Sequence, residues 1–252
     1  MSTTLPDPPA QPVVGDRPYR TGKNPWLTPL VAMTGIVALG DVVFMALIPS
    51  LIPPLAAGVA LTLVGIVLVR RRPRAAIVVL GLTSAALLLA GIAFLSSHLA
   101  HPGSPIDFLH AVLAIAGRAL AVVAAVGAWR GATTSGARRL AAAALGLAGA
   151  AVAVSGVATL MTDGEAARVG DIPVAIAGSQ FPEVVAVEQG QTLHLDNQDV
   201  FRHTFTVPDT ELDVDLPATT AARAVVDLRP GSYDVICDIA GHEHMTAVLE
   251  VQ

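Results

Sequence analysis

Apolar and polar residues are distributed in two different ways along this chain of 252 residues. From Trp26 to Met161 nearly every residue is Ala, Val, Leu, Ile or Gly, whereas from Thr162 onward short apolar runs alternate with polar residues and turns. An apolar run of about 20 residues can cross a membrane as a helix, and alternation with a period of two is typical of half-buried strands. The pattern therefore predicts an α-helical transmembrane bundle followed by an all-β domain.

Five segments of the first half are predicted to be transmembrane helices. They are residues 26–48, 54–70, 75–97, 107–129 and 139–161. The second is the shortest, and the prolines between the first two favour a tight hairpin. Only 14% of the residues are charged, against about 25% in soluble domains, and the mean hydropathy is +0.64. These values also indicate a large membrane-embedded part.

Basic residues predict the orientation of the bundle. They precede the first segment and lie between the second and third and between the fourth and fifth: Arg17, Arg20, Lys23, Arg70, Arg71, Arg72, Arg74, Arg130, Arg138 and Arg139. The loops around 49–53 and 98–106 contain no Lys or Arg. Since cytoplasmic loops carry an excess of basic residues, we expect a multi-pass plasma-membrane protein with a cytoplasmic N-terminus and an extracytoplasmic C-terminal domain.

The remaining domain boundaries follow from composition. Residues 1–25 are polar and rich in proline, which predicts a disordered cytoplasmic tail. Residues 26–161 form the five-helix domain, residues 162–169 a linker, and residues 170–252 the outer domain. The net charge of −5 is spread thinly and gives no indication of nucleic-acid binding. Membrane lipid is thus the first expected partner.

Ionisable residues within the predicted helices need partners, because an isolated charge there costs at least about 2.5 kcal/mol. Asp41 and Arg118 lie at similar predicted depths, which favours an intramembrane ion pair, either structural or part of a quinone, proton or metal pathway. His98, His101 and His110 lie near the outer ends of the third and fourth helices. They are candidates for a second metal or haem site, or else ordinary polar loop residues.

The sequence of the outer domain predicts short strands separated by turns. The predicted strands are Ile172–Ala177, Val184–Val187, Thr192–Leu195, Thr204–Val207, Ala222–Leu228, Tyr233–Cys237 and Ala247–Val251. Gln189-Gly190 and the run from Arg229 to Ser232 are turn signals. Many short strands with turns between them favour an all-β sandwich.

One short segment of the outer domain carries metal-binding residue types. Cys237, the only cysteine, is followed by His242 and Met245, and His203 lies far upstream in the run NQDVFRHTFTV. A thiolate, two imidazoles and a weak thioether are the ligands of a trigonal copper site used for electron transfer. The sequence therefore predicts a copper site in the outer domain.

These motifs resemble those of a known family. The stretch VEQGQTLHLDNQDVFRHTFTVP followed by PGSYDVICDIAGHEHM is similar to the cupredoxins, which have the blue-copper Greek-key fold of plastocyanin and azurin. The resemblance implies one type 1 copper centre with His203, Cys237, His242 and an axial Met245, and it places Asn197 and Asp199 in the loop before His203. It covers about the last third of the chain and says nothing about the helices.

The axial position departs from azurin-like loops. Only two residues separate His242 from Met245, where such loops have three. His244 or Glu243 as the fourth ligand, or no axial ligand at all, therefore remain alternatives to Met245. A histidine or glutamate in that position would lower the potential of the copper.

Three functions follow from this reading. The first is a membrane-anchored electron-transfer protein that passes single electrons at the outer face of the plasma membrane to another membrane or extracytoplasmic redox protein. The second is an accessory or copper-delivery subunit of a copper-dependent membrane oxidase or monooxygenase. The third is copper binding or resistance without redox turnover. No catalytic acid–base pair, triad or phosphate loop is visible, so we expect a carrier or an accessory subunit and not an enzyme in itself.

Overall fold

The computed structural model describes residues 24–48 and 52–252. The predicted tail, apart from residues 24 and 25, lies outside these ranges, as do Arg17, Arg20 and Lys23. The helices are α1 Leu27–Leu47, α2 Pro53–Leu68, α3 Pro73–Leu95, α4 Pro105–Val112, α5 Arg118–Arg130 and α6 Thr134–Met161. A 3₁₀ turn, Ser97–Ala100, precedes α4, and a π-helical turn, Leu113–Gly117, joins α4 to α5 as one continuous helix.

Four helical stretches within the described residues are long and apolar enough to cross a membrane. They are Leu27–Leu47, Pro73–Leu95, Pro105–Arg130 and Thr134–Met161. Helix α2 has only 16 residues, which corresponds to about 24 Å at a rise of 1.5 Å per residue. By length and composition the structure thus supports four of the five predicted spans, and α2 is a shorter apolar helix.

The helices pack through small residues and leave large apolar side chains on the outside. A Cβ on Gly65 of α2 would lie 2.5 Å from Leu80 Cδ2 of α3, so a larger residue there would require the packing of α2 against α3 to change. Leu89, Leu145 and Leu160 are 76%, 76% and 86% exposed. Such a surface is expected of helices whose surroundings are lipid tails, where exposed apolar side chains carry no penalty.

The second half of the chain, here called the β domain, contains eight strands in two sheets. They are β1 Ile172–Ile176, β2 Val184–Val187, β3 Thr192–Asn197, β4 His203–Thr206, β5 Asp213–Leu216, β6 Ala221–Val225, β7 Gly231–Ile236 and β8 Thr246–Val251. The first sheet has the order β1-β3-β6 and the second has the order β2-β8-β7-β4-β5. Strands β1 and β3 are parallel, as are β2 and β8, and the other pairs are antiparallel.

A shared apolar core lies between the two sheets. Leu193 and Leu195 from the first sheet and Phe205, Val235 and Leu249 from the second are fully buried within it. Alternate residues of β3 and β8 face this core, which is the period-two pattern visible in the sequence. The helical region with apolar helices followed by a β-sandwich agrees with the predicted fold class. Strand β5 was not predicted.

The β domain packs against one end of the helical region. Ser104 Oγ, just before α4, accepts a hydrogen bond from the Ala218 backbone N–H at 3.1 Å. Phe44, near the end of α1, contacts Phe201 edge-to-face with ring centroids 5.7 Å apart. In the predicted linker, the Glu165 N–H donates to the Ala221 carbonyl at 2.8 Å, so this segment lies along β6. These contacts hold the β domain at the ends of α1 and α4.

Candidate metal centre

Three side chains with metal-binding atoms meet in the β domain, beside the helical region. His203 begins β4, Cys237 follows β7, and His242 lies in the loop between β7 and β8. Their ligand atoms all lie within 4.8 Å of one another, and among residues 24–48 and 52–252 this is the only cluster of three such groups. The two Nδ1 atoms are 3.2 Å apart, and Cys237 Sγ is 3.6 Å from His242 Nδ1.

The sheet and the following loop explain why these residues meet. Strands β4 and β7 are neighbours, which brings His203 and Cys237 together from distant parts of the sequence. The loop then folds back, because the His242 N–H donates to the Ile239 carbonyl and the Cys237 N–H donates to the Met245 carbonyl, at 2.9 and 3.2 Å. Gly241 has φ +94°, a conformation that favours glycine, just before His242.

A buried asparagine organises the loop that leads to His203. The Asn197 amide donates to three backbone carbonyls at 2.9 to 3.0 Å, those of Phe201, Leu216 and Pro217. Its side-chain oxygen accepts the Asp199 N–H at 3.0 Å. Asn197 thus ties β3, the loop and the end of β5 together, and it fixes where His203 enters the site.

Asp199 then orients the imidazole of His203. Its Oδ2 atom lies 3.0 Å from His203 Nε2, and its carboxylate also accepts the N–H groups of Gly178 and Ser179 at 2.7 and 2.8 Å. When Nε2 carries the proton and donates it to the carboxylate, Nδ1 keeps its lone pair for a metal. This is the arrangement that a metal-binding histidine requires.

The cysteine is buried and held by Thr204. The Thr204 N–H donates to Cys237 Sγ at 3.4 Å, and the Thr204 hydroxyl accepts the Asp238 N–H at 2.8 Å. Burial raises the pKa of the Cys237 thiol. A bound metal must therefore displace the thiol proton to form the thiolate.

Burial has the opposite effect on the histidines. It lowers the pKa of His203, and it lowers that of His242 to about 4, with the neighbouring His203 as the next cause. Both imidazoles are thus neutral at neutral pH, which is the form that binds metal. The facing Nδ1 lone pairs repel each other at 3.2 Å unless a proton or a cation lies between them.

This donor set fits copper. A soft thiolate and two borderline imidazoles are the ligands of the trigonal copper sites of electron-transfer proteins. The ligands come from a strand, a strand end and a hydrogen-bonded loop, so their positions are set before metal binds. The side chains present therefore fit a copper ion held by His203, Cys237 and His242.

The three candidates for the axial position differ in burial. Met245 is only 1% exposed and packs in the core cluster that also contains Cys237. Glu243 and His244 are exposed, and Glu243 Oε1 accepts the Gly241 N–H at 2.8 Å. Burial in the same core cluster as Cys237 therefore favours Met245.

The other predicted histidines, His98, His101 and His110, are not part of the cluster of donor atoms within 4.8 Å that the described residues contain. His101 Nδ1 lies 2.9 Å from the Ser97 carbonyl, and His101 Nε2 lies 3.9 Å from an Asp215 oxygen. His110 lies beside Asp41, and His98 Nδ1 is buried without a hydrogen-bond partner among the described residues.

Asp41 and Arg118 are in contact. Arg118 Nη2 donates to Asp41 Oδ2 at 2.7 Å, and His110 Nε2 lies 3.3 Å from Asp41 Oδ1. Both members of the ion pair are buried. The hydrogen bond from His110 was not anticipated from the sequence.

The π-helical turn explains how His110 and Arg118 reach one carboxylate. In an α-helix, eight residues at about 100° each would place these side chains about 80° apart. A π-turn adds one residue without adding rotation, which reduces this angle to about 20°. The turn Leu113–Gly117 lies between them, so both face Asp41.

The contacts of two further residues near the centre, Asp107 and Thr204, were not predicted from the sequence. Asp107 Oδ2 accepts the backbone N–H of Arg202 at 2.7 Å, from 95 residues away. Nothing in the local sequence indicates this contact, because it depends on how the two halves pack. Thr204 directly follows His203, and that position beside a ligand is the only signal that pointed to it.

Comparison with known proteins gives a family for this part of the chain. The sequence model of the cupredoxin-like domain family matches residues 149–249, which begin inside α6. No curated protein matches the chain. Solved structures that match include a reduced mutant of amicyanin, 20% identical over 34% of this chain and 86% of that one, with a TM-score of 0.30. The Cu(I) form of another amicyanin mutant is 23% identical over 35% and 87%, also with a TM-score of 0.30.

The family match and the geometry of the site lead to the same assignment. The matched range contains all three clustered ligands, namely His203, Cys237 and His242. The C-terminal part of this chain is therefore a cupredoxin-like domain, and its His–Cys–His group fits a blue-copper site.

Proposed function

We propose that this protein is a membrane-embedded carrier of single electrons with one type 1 copper centre in its cupredoxin-like domain. The observation that carries the proposal is the group of His203, Cys237 and His242, of which the first two are buried and whose ligand atoms lie within 4.8 Å of one another. Copper bound there supplies one-electron redox chemistry. The chain positions both imidazoles and the thiol in advance, so little rearrangement accompanies a change of oxidation state.

Met245 is the proposed axial ligand. Its side chain is buried in the core cluster that also contains Cys237, whereas the carboxylate of Glu243 is exposed and already accepts a backbone hydrogen bond. A weak, neutral axial ligand favours Cu(I) more than an anionic one does. We therefore expect Met245→Leu to shift the reduction potential while the thiolate remains bound, and His244→Gln to leave the potential unchanged.

The proposed topology has five crossings, with the β domain on the outer face. Helices α1 and α3 both end near the β domain, since Phe44 contacts Phe201 and His101 lies beside Asp215. The chain must therefore return across the bundle between them, and α2 is the segment available for this. Its 16 residues fall a few ångströms short of a bilayer, a mismatch that local thinning accommodates.

The positions of the basic residues support the same orientation. Arg70, Arg71 and Arg72 precede α3, and Arg130 and Arg138 lie around the α5–α6 connection, at the helix ends away from the β domain. Basic loops stay on the cytoplasmic side. The copper site then faces the extracytoplasmic side, where a membrane-bound or extracytoplasmic redox protein would accept the electron.

Copper delivery is the second candidate function. His98 Nδ1 is buried without a partner in the described parts of the chain, and its imidazole is close enough to His242 to lower the pKa of that residue. A free nitrogen beside a copper ligand suits transfer of the ion through a shared intermediate. Delivery requires that the protein release its copper to an acceptor.

Redox titration of the copper-loaded full chain in detergent separates the two functions. A carrier gives a reversible one-electron transition with a defined potential, and the copper content stays unchanged over repeated cycles. Loss of copper to a Cu(I) chelator upon each reduction would contradict the carrier function and favour delivery. His98→Leu is the informative variant, because it should slow copper loss only if His98 takes part in release.

A further inference from the structure

A groove in the helical region lies between α1 and the start of α4. Its volume is about 320 Å³, within the range of small-molecule sites. Most of its lining is apolar, and His110 is its one ionisable lining residue among those described. Ile36, Leu39 and Val43, which line it, are 58%, 64% and 51% exposed, so the groove opens on the lipid-facing side of the bundle.

The polar end of the groove contains three ionisable groups, one more than an ion pair. Arg118 already neutralises Asp41 at 2.7 Å. His110 adds a third group at 3.3 Å from the other carboxylate oxygen, and only its imidazole lines the groove. The π-helical turn Leu113–Gly117 turns Arg118 onto the same face as His110. A groove open to lipid therefore ends at an imidazole supported by a buried carboxylate.

The same imidazole belongs to a row of rings that reaches the metal centre. His110 stacks on Phe44, with centroids 3.9 Å apart and an interplanar angle of 5°. Phe44 contacts Phe201 at 5.7 Å, and Phe201 lies two residues before the ligand His203. Asn197 fixes the Phe201 carbonyl at 2.9 Å. The groove is thus continuous with the interface between the helical region and the copper-binding loop.

Helix α1 packs closely against the π-helical turn Leu113–Gly117 through two glycines. A Cβ on Gly40 would lie 2.4 Å from Leu113 Cδ2, and one on Gly117 would lie 2.6 Å from Val37 Cγ2. A larger residue at either position would require the side chain of Leu113 or Val37 to move, so glycine at both favours the close approach of α1 to the π-turn. Asp41 is thereby brought within reach of both His110 and Arg118.

We propose that this groove binds a membrane p-quinol and that the quinol is the electron donor to the copper centre, an inference that rests on the proposed function. A quinol fits the opening to lipid, the imidazole at the polar end and the nearby metal centre. Its ring and tail are lipid-soluble, its hydroxyl can donate to His110, and its electrons are released one at a time to a nearby one-electron acceptor.

One quinol loses two electrons and two protons to give the quinone, with both O–H bonds broken. Two Cu(II) are reduced to Cu(I), in two successive transfers because the proposed site holds one copper, and a one-electron acceptor protein reoxidises the copper between them. In the first transfer His110 takes the proton from the hydroxyl that it faces, Asp41 stabilises the imidazolium, and the proton leaves to the aqueous side next to the β domain. In the second transfer the ring has turned its other hydroxyl to His110, which is neutral again, and the second proton leaves by the same route.

Binding of a photoreactive azido-benzoquinone to the copper-free full chain in nanodiscs tests this directly. We expect crosslinks on α1 and α4 that excess decyl-benzoquinone or a 2-methyl-1,4-naphthoquinone prevents. Leu39→Trp occupies the groove while leaving residue His110 in the chain, and it should weaken binding at least about tenfold. The matched control Leu89→Trp, at a position of α3 that is 76% exposed against 64% for Leu39, should bind like the wild type.

A kinetic measurement on the copper-loaded protein separates this proposal from the proposed function. Leu39→Trp and His110→Leu should slow reduction of Cu(II) by decyl-quinol about tenfold or more, while reduction by ascorbate stays at the wild-type rate. Intact ascorbate reduction also shows that the variants are folded. Equal quinone binding in Leu39→Trp and wild type, or crosslinks only outside α1 and α4, would overturn the quinol site and leave the copper carrier in place.

Discussion

Asp107, on the first turn of α4, accepts a hydrogen bond at 2.7 Å from the backbone N–H of Arg202. Arg202 directly precedes the ligand His203, so a carboxylate of the helical region holds the loop that presents this ligand. Asp107 is only 4% exposed, and the Arg202 N–H has no access to water. The helical region therefore contributes to the shape of the metal centre in addition to anchoring it.

We expect Asp107→Ala to loosen the copper-binding loop. The substitution leaves a buried N–H without an acceptor, which costs about 1–3 kcal/mol. The thermal unfolding temperature of the full chain in detergent should fall, and the EPR spectrum of the Cu(II) form should show more than one species. Asp107→Asn keeps an acceptor oxygen and is the matched control. An unchanged spectrum and stability in Asp107→Ala would show that the loop keeps its shape without this contact.

Asp199 should matter for copper affinity more than for folding. Its carboxylate fixes the ring and the tautomer of His203 at 3.0 Å, and loss of such a partner typically costs 10–100-fold in metal affinity. Competition with a Cu(I) chelator should therefore show affinity reduced by about one to two orders of magnitude in Asp199→Ala. Gln198→Ala, at the neighbouring exposed position, should keep the wild-type affinity. Equal affinities for the two variants would exclude an orienting role.

The Asp41–Arg118 pair should stabilise the helical region as a unit. Asp41→Asn leaves the buried guanidinium of Arg118 without its counter-charge, and breaking a buried pair from one side costs about 3–5 kcal/mol. The full chain should then unfold at a markedly lower temperature in detergent. The double variant Asp41→Asn with Arg118→Gln removes both charges and should recover part of the loss. A single variant as stable as the wild type would contradict the pairing.

The β domain should lose stability in strong acid through Asp171. The Arg223 guanidinium donates to both Asp171 oxygens at 2.7 Å and lowers the pKa of that carboxyl from its usual 3.8 to about 2. Because the folded pKa is the lower one, this stabilisation is complete above pH 3.8 and disappears as the pH falls through about 2. Urea unfolding midpoints should show this slope in the wild type and not in Asp171→Asn. A slope of the same size in the variant would assign it to other groups.

Features of the fold that depend on local pattern could be predicted from the sequence. Four helical stretches follow directly from long apolar runs. Strands such as β3 and β8 follow from an alternation of apolar and polar residues that matches their buried faces. Strand β5, Asp213–Leu216, was missed because only Leu216 of its four residues is buried, so its apolar signal is weak. It forms by pairing with β4.

The metal-binding residues could also be predicted, because most of them are close together in the sequence. Cys237, His242 and Met245 lie on one loop, so their order and spacing are themselves a signal. His203 joins them through pairing of β4 with β7, and the run NQDVFRH before it marked the position.

The contacts between the two halves could not be predicted in the same way. Asp107 and Arg202 are 95 residues apart, and the row from His110 through Phe44 to Phe201 crosses three segments. The π-helical turn that aligns His110 with Arg118 has no clear sequence signature. Such features arise from tertiary packing, and neither the residue composition nor the hydrophobic periodicity of the sequence carries information about them.

The central claim is that Cys237 binds copper as a thiolate together with two histidines. Absorption and EPR spectra of the Cu(II)-loaded full chain test it most directly when they are recorded beside Cys237→Ser, with the exposed neighbour His244→Gln as control. We expect an intense thiolate-to-copper charge-transfer band at about 600 nm that His244→Gln retains and Cys237→Ser abolishes. A weak spectrum of nitrogen and oxygen coordination that is the same in wild type and Cys237→Ser would contradict it.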